Sequence, residues 1–170
     1  GLRGTSFSDI EVRGGDSIYV FVEGYLDETG RNEPVRITDR VLFTTNGVTQ
    51  SVALRAWGQD VVRLNGDTIA SNTRFTADKP YLIYDTLFVA PGALLHIDAG
   101  ATLLFHDKGA MRVAGTLRAM GTAQAPITMR GDRLDHVVGD INFDIMSGQW
   151  GGLIFPPSST ANVMQYVDMH

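Results

Sequence analysis

From residue 92 onward glycine returns every six to nine residues, and each return opens a short apolar segment. Gly92-Ala93-Leu94-Leu95-His96-Ile97 is followed by Gly100-Ala101-Thr102-Leu103-Leu104-Phe105, then by Gly109-Ala110-Met111-Arg112-Val113 and Gly115-Thr116-Leu117-Arg118-Ala119. A further turn at Gly121-Thr122 leads into Pro126-Ile127-Thr128-Met129-Arg130. This internal quasi-repeat narrows the fold more than any other feature. Each segment is too short for a stable hairpin, and no Asn-Gly or Asp-Gly turn stands between them. Short strands joined by tight bends suit a chain that winds about a long axis and stacks each strand on one from the previous coil. A parallel β-helix is expected. Leu95, Ile97, Leu103, Phe105, Met111, Val113, Leu117, Ile127 and Met129 should point inward as stacked apolar rows. The competing architecture is an antiparallel sandwich with small turns.

Upstream the pattern is different. Asp16 to Glu23 alternates, with Ile18, Val20 and Val22 on one face, and predicts a strand. Residues 27–34 read as a polar loop. A strand from Val35 to Phe43 then meets Thr45-Asn46-Gly47-Val48, a hairpin turn that requires positive φ at both central positions. The return strand runs from Thr49 to Gly58, with Val52, Leu54 and Ala56 alternating with polar neighbours. An antiparallel hairpin with one buried face follows, and Trp57 is expected to be buried. Residues 59–79 change character, with a turn at Asn65-Gly66-Asp67 and a small, polar stretch after it. The chain therefore divides into an antiparallel β module over residues 1–60, a junction over 61–79 and a β-helix over 80–170.

Helical signals are scarce. The best window, Asp132 to Ile145, is interrupted by Gly139 and reads as one helical turn or an irregular loop. Glycine makes up about 11% of the chain, against a usual figure near 7%, as many turns between short strands require. The fold class is all-β.

Composition bounds the chemistry. The formal net charge of -5 argues against a nucleic-acid partner, since phosphate binding needs a basic face. The chain has no cysteine, hence no disulfide, thiolate metal site or thiol nucleophile. No apolar run approaches the roughly 18 residues of a membrane span. The opening Gly1-Leu2-Arg3-Gly4 lacks methionine, and the chain reads as a fragment or a processed product.

Several of these segments resemble a known family. They are Asp78-Lys79-Pro80-Tyr81-Leu82-Ile83-Tyr84-Asp85, Val89-Ala90-Pro91-Gly92-Ala93-Leu94-Leu95-His96-Ile97, Gly100 to His106, Gly115-Thr116-Leu117, Gly121-Thr122, Pro126 to Leu134, and Gln149-Trp150-Gly151-Gly152-Leu153-Ile154-Phe155. Over residues 78–157 they look like right-handed parallel β-helix surface lipoproteins of gut anaerobic bacteria, mostly of unassigned function. Phe43-Thr44-Thr45-Asn46-Gly47 and Val52 to Gly58 are similar to the C-terminal hairpins of immunoglobulin-like surface modules. About 60 residues is short for a sandwich of about 100, so further strands are expected upstream. The β-helix is likewise expected to be cut at Asn162 to His170. The resemblance implies a place on the outer membrane facing outward, with a lipid-bearing cysteine upstream of this sequence. It implies a structural, adhesive or glycan-contacting role without catalysis, and an extracellular glycan or a surface protein as partner. The open end of the β-helix is a candidate for self-association. The alternative is a polysaccharide lyase or glycoside hydrolase whose active site lies in later coils.

No catalytic constellation, cofactor site or metal site is assigned. Candidate binding residues fall in two groups. Arg112, Arg118 and Arg130 alternate with apolar residues and so point outward; together they are a candidate basic stripe for anionic sugars, or simply solvated strand faces. Asp132 to Gln149 is an 18-residue excursion between coil strands, and long loops in compact repeats are often functional. Its Asp135, His136, Asp140 and Asp144 mark a ligand-facing or calcium-contacting surface, or else the loop is a lid that covers the solenoid with Val137, Val138, Ile141, Phe143 and Ile145. Trp150, beside Gly151-Gly152, is either an aromatic platform for a sugar or packed against a tight bend. His96 and His106 are expected to face solvent on adjacent strands, without a third metal ligand.

Overall fold

The computed structural model describes residues 3–24, 30, 34–133, 136–138, 141–143 and 146–170. Every strand among them belongs either to an antiparallel hairpin or to a stack of parallel coils.

The hairpin comes first. β1 (Val35–Thr45) and β2 (Val48–Gly58) pair antiparallel over eleven rows without a bulge, from Val35 opposite Gly58 to Thr45 opposite Val48. Asn46 and Gly47 hold φ of 52° and 78°, as a two-residue turn of matching twist demands. The half-buried residues, Val35, Ile37, Val41, Leu54 and Gly58, all share one face; every residue on the other face is exposed. The expected buried face is thus only half buried. Trp57, expected inside, lies on the open face and is 62% exposed. Nor does the strand expected over Asp16 to Glu23 form: residues 16–23 enter no sheet, and Tyr19 and Phe21 are 88% and 91% exposed. Alternation suits a segment to pair, but without a neighbouring strand it leaves only extended backbone.

The solenoid begins earlier than expected. β3 (Val62–Leu64), β4 (Thr68–Ile69) and β5 (Thr73–Phe75) occupy the stretch read as a junction, and each pairs in parallel with the following coil. Residues 62–75 are the first coil. They are too short and polar to announce themselves, and their strand character comes from the ladder above them. The second coil is β6 (Tyr81–Ile83), β7 (Thr86–Val89) and β8 (Leu94–Asp98). The third is β9 (Thr102–Phe105), β10 (Ala110–Val113) and β11 (Thr116–Met120). The fourth opens with β12 (Ile127–Gly131) and departs into a small antiparallel pair, β13 (His136–Val138) and β14 (Ile141–Asn142). This pair occupies part of the stretch expected to be one helical turn or an irregular loop; Phe143, just after it, has 3-10 geometry, and its carbonyl accepts from the Met146 amide at 3.0 Å. The coil resumes with β15 (Gly152–Ile154) and β16 (Val163–Gln165), and β17 (Val167–Met169) lays one further strand on β12.

Three parallel sheets run along the axis, ordered β17-β12-β9-β6-β3, β15-β10-β7-β4 and β16-β11-β8-β5. Leu95 pairs with Thr73 and Leu117 with Leu95, so a turn of the solenoid takes 22 residues here. All nine residues expected to point inward are fully buried. They stack in rows such as Tyr81-Leu103-Met129 and Ile83-Phe105, and side chains from all three sheets meet in one apolar cluster. Phe75 stacks on Tyr81 with centroids 3.9 Å apart, and the Tyr81 hydroxyl accepts a hydrogen bond from the Thr76 amide.

The glycines that revealed the repeat serve two different purposes. Gly100 adopts φ of 80° at a bend, a region that L side chains rarely enter. Gly115 is needed for close approach instead: a Cβ there would lie 2.3 Å from the Ala93 carbonyl oxygen. Where the fourth coil loops wide, side chains stand in for backbone. Asn162 Oδ1 accepts from the Leu117 amide at 2.8 Å, and the Ser159 hydroxyl donates to the Gly115 carbonyl at 3.0 Å. No helix among the described residues is long and apolar enough to cross a membrane.

Candidate functional site

Stacking converts residues one coil apart into columns, spaced by the 4.7–4.9 Å between neighbouring strands. The candidate residues must therefore be sorted by column. Arg112 lies on β10, Arg118 on β11 and Arg130 on β12. These strands belong to three different sheets, so the expected basic stripe does not exist. Arg112 and Arg118 are exposed, while Arg130 is half-buried. The three are neighbours in sequence and for that reason cannot be neighbours on one face of a three-sided coil.

The columns that do form were not visible as motifs. On the outer face of β5, β8 and β11, Arg74, His96 and Arg118 stand directly above one another. Asp98 neutralises part of this column. The Arg74 Nε–H group donates to both Asp98 carboxylate oxygens at 2.9 Å, and His96 Nε2 lies 3.2 Å from Oδ1. The hydrogen bond to Asp98, and then the charge of that carboxylate, raise the Arg74 pKa above its ordinary value. The only sequence signal was the recurrence of a cationic residue type every 22 positions, which is meaningless until the coil length is known.

A second column forms at the bend that follows the first strand of each coil. Ile83, Phe105 and Gly131 are in register, which places Tyr84, His106 and Asp132 at equivalent positions after them. Backbone bonds fix the bend: the His106 amide donates to the Ile83 carbonyl and the Asp132 amide to the Phe105 carbonyl, at 2.8 and 3.0 Å. The His106 Nδ1 atom lies 2.7 Å from Asp132 Oδ2. The histidine side chain is 50% exposed and the carboxylate 20%. Tyr84 packs beside the imidazole with centroids 4.8 Å apart, and the Arg63 guanidinium sits 6.0 Å from the Tyr84 ring centre. Asp107, next in the chain, holds φ of 48°, which a short polar side chain tolerates.

The excursion after β12 closes this bend into a groove. His106, Asp107, Asp132, Arg133, Phe143, Gly148 and Gln149 line about 350 Å³ of space. The Arg133 guanidinium lies 3.6 Å from the centre of the Phe143 ring and so covers one of its faces. Two carboxylates, an imidazole and a guanidinium thus share one groove. With Nδ1 engaged by Asp132, Nε2 is the imidazole atom available to a ligand in the groove.

The other loop candidates fare differently. Asp135, Asp140 and Asp144 lie outside the described residues, as does Ile145 of the expected lid; His136 begins β13. Trp150 is packed rather than displayed. Its ring stacks on Phe105 with centroids 4.2 Å apart, and its Nε1–H group donates to the His170 carbonyl at 3.1 Å. A hollow of about 450 Å³ beneath it, lined by Leu153, Phe155, Met164 and Met169 among others, is the exposed interior of the fourth coil. Among the described residues no three His, Cys, Asp or Glu side chains converge as a metal site would need.

No family model, curated protein or solved structure matches this chain.

Proposed function

We propose that this chain belongs to a non-enzymatic bacterial cell-surface protein whose β-helix is a rigid scaffold and whose corner groove contacts an extracellular glycan. The observation that carries the reading is the groove over the Tyr84-His106-Asp132 column. It is a shallow site with convergent donors and acceptors beside an aromatic ring, on a frame whose core is fully buried. Sugars present the same mixture of hydroxyls and C–H faces, and rigid elements hold a binding constellation more accurately than loops do. Placement on the outer membrane through an upstream lipid anchor rests on the sequence likeness over residues 78–157.

One observation favours a second reading. Asp107, Asp132 and Arg133 line one groove with His106, whose orientation Asp132 fixes. A held imidazole beside a guanidinium suits β-elimination of a uronate chain: the imidazole takes the proton from the carbon that bears the carboxylate, the cation neutralises that carboxylate, and as the double bond forms the glycosidic oxygen on the adjacent carbon leaves with its bonding pair and is protonated by water. On that reading the protein is a polysaccharide lyase.

Both readings meet one experiment. The protein is incubated with a panel of plant and host polysaccharides, and binding is followed together with new reducing and unsaturated ends. Binding without turnover, weakened by Asp132→Asn, supports the contact module. Turnover of any glycan that disappears in His106→Ala transfers the groove to the second reading. A panel that yields neither binding nor turnover refutes both.

A further inference from the structure

The open face of the β1–β2 hairpin has a composition that its surroundings do not explain. The unbroken register puts Arg36 opposite Trp57, Thr38 opposite Arg55 and Arg40 opposite Ala53 on that face. The Thr44 and Thr49 hydroxyls, 2.9 Å apart, are on the same side and confirm the alternation. All these side chains are exposed. In a chain of net charge -5, an arginine would be expected to find a carboxylate. Arg36, Arg40 and Arg55 have none within ion-pair distance among the described residues. Asp39, which precedes Arg40 in sequence, belongs to the opposite face, where its carboxylate accepts from the Arg40 amide. Trp57 likewise has neither ring nor cation stacked on it among the described residues.

We infer that this face, with Arg36, Arg40, Arg55 and Trp57, is a binding site for an acidic polysaccharide. Charge complementarity selects the ligand: three guanidinium forks without a carboxylate partner among the described residues suit the planar carboxylates of a uronate chain. Arg36 and Arg40 are about 13 Å apart along β1, and Arg55 lies between them on β2, so the cations follow a line rather than a point. A line suits a linear polyanion better than a single ion. The indole at one end offers a flat apolar surface for the C–H face of a sugar ring. The solenoid groove is a different surface, tested by different variants.

The test is affinity electrophoresis of the intact protein through gels containing sodium polygalacturonate, with neutral dextran and duplex DNA as parallel matrices. Retardation by polygalacturonate alone is expected, weakening as salt rises. Arg55→Ala should weaken it about tenfold, the value of one lost charge-assisted contact. Combined Arg36→Ala, Arg40→Ala and Arg55→Ala should abolish it, and Trp57→Ala should reduce it while leaving the salt dependence unchanged. Arg112→Ala removes the same charge from the solenoid and should leave retardation unchanged. All these side chains are exposed, so the fold survives their loss. Equal effects of Arg112→Ala and Arg55→Ala would reveal diffuse charge and overturn the inference. So would retardation by dextran, equal retardation by DNA, or a triple variant that still binds.

Discussion

The solenoid and the hairpin that precedes it use the same local code with opposite results. In both, apolar and polar residues alternate along short strands. In the solenoid, Leu95 and Ile97 are fully buried, because coils stack above and below and two other sheets close the interior. In the hairpin, Val52 is 54% exposed although it alternates as cleanly. Alternation decides which side of a strand an apolar residue takes. Whether that side is buried depends on a second surface, and a two-stranded ribbon has only itself. The difference also separates roles. The solenoid spends its apolar residues on rigidity, and the hairpin's open face carries exposed arginines.

Substitutions in the two regions should differ by an order of magnitude in their effect on stability. The largest effect is expected for Phe105→Ala. Its ring is fully buried and stacks on Trp150, so deletion removes about 3–5 kcal/mol from the unfolding free energy. Urea unfolding checks this, and a loss below about 1 kcal/mol would show that the core relaxes around the cavity. Next is Gly115→Ala, expected to cost about 1–3 kcal/mol by the same measurement, because the added methyl must push the Ala93 carbonyl out of the ladder. The smallest effect belongs to the hairpin. Val52→Ser should change stability by no more than about 0.5 kcal/mol, as at other exposed sites. A cost near that of Gly115→Ala would mean that the hairpin's apolar face is covered in solution, and the contrast between the regions would fail.

The fold was legible where the sequence carried its own register. Nine inward positions could be named because each glycine-led segment restarts the alternation. The first coil was not legible: Thr68-Ile69 is two residues long, and only its pairing with Phe88-Val89 makes it a strand. The candidate site was legible in kind but not in place. Arg112, Arg118 and Arg130 do point away from the core, but direction within a strand says nothing about which of three faces carries it. His106 and Asp132 stand 26 positions apart and meet because the third coil happens to be that long at this bend. Coil length is set by bends whose cost depends on contacts between coils, so no local window contains it. Trp57 failed for a simpler reason, since an indole is apolar enough to suggest burial and polar enough to do without it.

The excursion between β12 and β15 leaves both strands in register with the coil before them. The corner it leaves from is crossed one coil earlier by the short run from Phe105 to Ala110. The frame therefore tolerates extra chain at this corner, and the entropic cost of closing a longer loop rises only slowly with its length. Heritable variation can accumulate here while the core rows stay fixed. A lineage of such proteins can change what it touches by exchanging one loop, and an engineer can graft a foreign recognition segment at the same port.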